Sequence, residues 1–157
     1  MIRRLSLSLA ACLALAVCAA DAEPYRSIDV PQQEHGYQNF ESKVIKTQAE
    51  LDAFLKNPGE AWNERKKFEE GLKAPKIDFE KEALVLLRHT EGSGSVQVTF
   101  EKPKLEGTTL KCKVSRKEPE IGTADMAYYT FALVVDKTKV KKVEFTSAGK
   151  TVELKLD

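Results

Sequence analysis

The chain has 157 residues, 42% of them hydrophobic, and sets 25 basic side chains against 24 acidic ones. That balance excludes the strongly basic surface which nucleic acid or an anionic membrane asks of a main partner. The length suits one domain that buries about two-thirds of its unfolded surface, so neither a disulfide nor a metal is needed to hold it.

Arg3 and Arg4 precede an apolar run from Leu5 to Ala20, which closes on Ala20-Asp21-Ala22, the small-x-small pattern accepted by signal peptidase. The run is shorter than the roughly 20 residues that cross a bilayer as a helix, and no later stretch is long enough or free enough of charge to span. The expectation is a signal peptide over 1–22 and a periplasmic or secreted mature chain beginning near Glu23 with no net charge. A lipid anchor at Cys18 is the alternative, since Leu15-Ala16-Val17-Cys18 departs from a lipobox only at Val17, where Gly, Ala or Ser is expected.

Residues 23–41 are polar and carry Pro24 and Pro31, which predicts an extended leader before a single domain over 42–157. Val44 and Ile45 mark a short strand. Thr47 then meets Glu50 three residues on, a capping box that opens a helix with Leu51, Phe54 and Leu55 on one face and Asn57-Pro58-Gly59 as its stop. A second helix is predicted from Glu60 to Gly71, where Trp62 and Phe68 are the large apolar residues and Arg65, Lys66, Lys67, Glu69 and Glu70 form a solvated charged face.

Beyond Pro75 the period changes to that of strands. Ile77-Asp78-Phe79 reads as a short one, and the unbroken apolar stretch Ala83 to Leu87 as a central strand covered on both faces. Val96, Val98 and Phe100 alternate with polar residues, as do Leu110, Cys112 and Val114, and the segment from Pro103 to Gly107 joins the two as a hairpin. Ala127 to Val135 is another strand, and a last pair turns at Ser147-Ala148-Gly149-Lys150. The predicted fold is α+β, with two N-terminal helices packed on a mostly antiparallel sheet of about five to seven strands.

Once the signal is removed, Cys112 is the sole cysteine, placed by alternation between Leu110 and Val114 as a buried small hydrophobe. His35 and His89 are the two histidines, and neither has a partner at metal-ligand spacing, so no metal or cofactor is expected. Arg88, His89, Glu91, Ser93 and Ser95 gather at the end of the central strand and in the loop after it, which keeps open a small-ligand binder or a hydrolase built on that loop. Gly92-Ser93-Gly94 is not the G-x-S-x-G elbow, and strands rather than a strand and a helix flank it. Asp125 and Tyr128 mix acid and aromatic character in the manner of a recognition surface, while Lys137, Lys139, Lys141 and Lys142 guard a strand edge.

The run Ile77-Asp78-Phe79, Ala83 to Leu87, Gly92 to Val98, Leu110 to Val114, Glu118-Pro119-Glu120-Ile121-Gly122 and Ala127 to Lys137 resembles the C-terminal domain of the PrcB family, accessory partners that associate with and stabilise a secreted protease. This chain has Gly94-Ser95-Val96 where that family favours Gly-Gly-Tyr. The resemblance implies a non-catalytic module bound to another exported protein, and it carries no functional residue across.

Overall fold

A computed structural model describes residues 23–37, 40–59 and 63–157; the expected signal peptide over 1–22 and Trp62 lie outside these. In chain order the elements are β1 (Tyr25–Ile28), β2 (Lys43–Ile45), α1 (Gln48–Leu55), α2 (Arg65–Lys73), β3 (Glu82–Glu91), β4 (Gln97–Phe100), β5 (Lys104–Glu106), β6 (Thr109–Lys117), β7 (Ala127–Asp136), β8 (Lys142–Ser147) and β9 (Lys150–Lys155).

The predicted α+β arrangement is not what forms. The described residues build nine strands in two sheets, with only two short helices, and both helices follow strands. The first sheet runs β1-β7-β3-β2, antiparallel throughout, and the second runs β4-β6-β8-β9 with β5 also on β6. One physical reason is that β6 and β8 each have a single apolar face, which only a second apolar layer can cover. Leu110, Cys112 and Val114 of β6 and Val143 and Phe145 of β8 close on Val85 and Leu87 of β3 and Phe131, Leu133 and Val135 of β7.

The opposite face of the first sheet is covered too. Leu84, Leu86 and Ala132 pack with Leu51, Phe68 and Leu72 of the helices and with Val30, Tyr37 and Phe40. This explains why Ala83 to Leu87 shows no alternation: both faces of β3 are dry. It also corrects the leader, because Tyr25–Ile28 pairs with β7 in the register Tyr25↔Val135 to Ile28↔Ala132, and Val30, His35, Tyr37 and Phe40 after it are buried. Ile77-Asp78-Phe79 makes no strand; Ile77 and Phe79 pack at the edge of the helix-side cluster.

Local rules are visible at the ends of elements. Thr47 Oγ1 accepts from the Glu50 amide at 3.1 Å and Glu50 Oε2 accepts from the Lys46 amide at 2.6 Å, so the first turn of α1 is capped from both sides. β4 and β5 lie one after the other along β6 and break at Pro103, which has no amide to offer a ladder. The pairing of β6 with β8 is parallel, from Thr109↔Lys142 to Lys113↔Thr146, and the chain runs through β7 in the other sheet between them. No helix among the described residues is long and apolar enough to cross a membrane.

Candidate functional site

The side chains that could carry chemistry collect at one end of the sandwich, where β3, β6 and β8 all finish and β7 begins. Alternation carries them inward. His89 and Glu91 follow Val85 and Leu87 in phase along β3, Arg116 follows Cys112 and Val114 along β6, and Ser147 follows Val143 and Phe145 along β8. The apolar core thus ends in a polar layer contributed by both sheets.

His89 sits at its centre with a side chain 0% exposed. Its Nε2 lies 2.6 Å from Glu91 Oε1 and its Nδ1 2.5 Å from Ser147 Oγ. Arg116 grips the same carboxylate with two bonds, Nε to Oε1 at 2.5 Å and Nη2 to Oε2 at 2.8 Å. Those bonds are the main cause that holds the Glu91 carboxyl below the usual range, with His89 adding to the effect against burial. An ionised carboxylate only accepts, so His89 carries its proton on Nε2 and turns the Nδ1 lone pair to the Ser147 hydroxyl.

The loops beyond this layer are tied to each other rather than to His89. Ser93 Oγ accepts from the Thr123 amide at 2.9 Å, Ser95 Oγ lies 2.9 Å from Thr123 Oγ1, and Gly94 donates its amide to Asp125 Oδ1 at 3.2 Å. Thr123 first, and then Gly94, hold the Asp125 carboxyl below its ordinary value. A Cβ on Gly94 would stand 2.5 Å from Asp125 Oδ2, so a larger residue there would push the Asp125 side chain aside. The pinned loop keeps Ile121 86% exposed and Met126 56% exposed.

Arg88 and Tyr128 point the other way, toward the helix side. The Arg88 guanidinium lies 5.1 Å over the Tyr128 ring, its Nη1 donates to the Phe40 carbonyl at 2.9 Å, and its Nε is a buried donor with no hydrogen-bond partner. The six residues singled out in the sequence therefore fall in three places: His89 inside, Ser93, Ser95 and Asp125 on the loop rim, Arg88 and Tyr128 on the far face of the sheet.

Ser147 and Arg116 were not anticipated. A signal existed for both, because extending the strict alternation of Leu110, Cys112 and Val114 by one step reaches Arg116, and the same step from Val143 and Phe145 reaches Ser147. The opposing strands that bring them to His89 are a matter of sheet pairing, which the period does not reveal.

The second histidine is held in neutral surroundings. The Tyr37 amide donates to His35 Nδ1 at 3.1 Å, so Nε2 carries the proton and donates to Thr130 Oγ1 at 2.9 Å. Its ring stacks on Phe68 at 4.1 Å between centroids, and burial lowers its pKa to about 4. Among the described residues no group of three or more His, Cys, Asp or Glu side chains could hold a metal ion. Comparison with known protein families, with characterised proteins and with solved structures gives no match.

Proposed function

We propose that the protein is an exported interaction module that docks on another exported protein and stabilises it, with the rim formed by residues 118–126 as its contact. The observation that carries this reading is the exposure of Ile121 and Met126 on a loop that Ser93, Gly94 and Ser95 pin in place. Aliphatic side chains held out by a hydrogen-bonded loop gain little in the free protein and are covered at little entropic cost when a partner arrives. The PrcB-like strand sequence makes a secreted protease the first partner to test.

The experiment is recovery of partners from an envelope fraction by tagged wild-type protein and by Ile121→Asp. A specific partner should be recovered by the wild type and fall by about tenfold or more with the variant, while the thermal midpoint stays unchanged. Equal recovery by both proteins, or none above background, overturns the proposal.

A further inference from the structure

We propose that Ser147, His89 and Glu91 form a chemical site at the same end of the sandwich: a serine nucleophile that takes an acyl group from small carboxylic esters. This goes beyond the docking reading and uses different residues. The elements of nucleophilic catalysis are a hydroxyl within reach of a base, and a third group that orients the base. Here Ser147 Oγ is 2.5 Å from His89 Nδ1, and the opposite nitrogen is 2.6 Å from Glu91 Oε1.

Three features make this more than a polar plug. Arg116 keeps Glu91 ionised, which fixes the His89 tautomer so that the nitrogen facing Ser147 is the one able to take a proton. The two inner groups are enclosed, His89 at 0% and Glu91 at 3% exposed, while Ser147 is half-buried beside the exposed turn residues Ala148 and Gly149. The nucleophile also directly precedes the two-residue turn Ala148-Gly149, whose φ values of 47° and 76° are those the hairpin itself requires. In a two-residue hairpin the amide of Ala148 stays outside the ladder, where it can donate to a developing oxyanion.

In the reaction Ser147 Oγ forms a bond to the ester carbonyl carbon and its proton passes to His89 Nδ1. The tetrahedral centre expels the alkoxide, which takes that proton and leaves as the alcohol. Water then repeats the sequence against the acyl-serine, releasing the carboxylic acid and restoring the hydroxyl. Glu91 stabilises the imidazolium in both halves without accepting a proton. The open position of Ser147 favours acyl groups that need no enclosing pocket.

The test uses the full mature chain, a fluorophosphonate probe and p-nitrophenyl acetate at pH 8. One probe adduct should form, map to the peptide containing Ser147, and appear about a hundredfold faster than on the heat-unfolded chain. Ser147→Ala should abolish it, and the ester should give a burst of one product per chain. Peptide mapping of the wild type decides the matter even if that variant fails to fold. No adduct above the unfolded control, or an adduct on another residue, overturns the proposal and leaves His89 as a structural polar link between the sheets. Neither result bears on docking, which is read from partner recovery with the Ile121 variant.

Discussion

Two buried histidines lie against opposite faces of the same sheet, and their surroundings could hardly differ more. His35, on the helix side, has an amide, a threonine hydroxyl and the ring of Phe68 around it. His89, between the sheets, has a carboxylate held by arginine on one nitrogen and a serine on the other. Burial alone makes neither of them reactive. A ring with only neutral partners loses its ability to charge, whereas a ring beside an ionised carboxylate is oriented and has its tautomer set by that partner.

The contrast can be broken first on the helix side. Phe68 is fully buried and stacks on His35, so Phe68→Ala should cost about 3–5 kcal/mol in urea-denaturation stability. A loss below about 1 kcal/mol would mean that this layer is not closed by the helices.

The next effect is a pH dependence with opposite partners on the two faces. His35 has an ordinary value of 6.5 and a folded value of about 4. The unfolded chain therefore binds a proton that the native chain refuses. Stability should be full above the ordinary value and decline as pH falls through this window, by on the order of 3 kcal/mol in all. Glu91, whose folded pKa is depressed, gives stability present above its ordinary value and lost only at more acid pH. His35→Gln should flatten the first decline and leave the second; thermal midpoints between pH 7 and pH 4 that fall equally in both proteins would contradict the assignment to His35.

On the inter-sheet side, Arg116→Ala would leave Glu91 buried beside His89 without its main partner. Arg116 is itself 34% exposed, so water screens part of the loss and the expected cost is about 2–3 kcal/mol at neutral pH. The deficit relative to wild type should shrink in acid, where Glu91 protonates. A deficit that is constant with pH would point to lost packing instead.

The smallest effect concerns Cys112, which faces Phe145 across the parallel pair and has its thiol pushed up to about 12 by burial. Cys112→Ser should cost about 1–2 kcal/mol, and native labelling by a thiol reagent should be slow. Rapid labelling without unfolding would show that the two sheets part at this point.

Much of this was legible where one residue type decides the matter. Thr47 and Glu50 announced the start of α1, the Ser147–Lys150 turn announced the last hairpin, and strict alternation placed Cys112 inside. What was not legible depends on partners distant in sequence. Tyr25–Ile28 is polar on two of its four positions and follows a proline, so nothing local marks it as a strand; its order comes from β7, more than 100 residues later. The fold class failed for a related reason, since the same alternating strands satisfy one sheet or two and only their pairing separates the cases. Ser93 and Ser95 were grouped with His89 by nearness in sequence, yet the inward phase that buries His89 places a serine from β8 against it.

The parallel ladder between β6 and β8 also governs how the chain must assemble. The intervening segment, β7, belongs to the other sheet and pairs there with both β1 and β3. The second sheet therefore draws its strands from both sides of β7 in the chain, and the first stays open until residue 136 is available. Contacts so distant in sequence carry a large loop-closure entropy before they give any return, which slows folding and makes it cooperative. A fragment ending before Ala127 has no partner for β1 and only β2 beside β3. Each half of the chain thus leaves strands whose ladder partners lie in the other half.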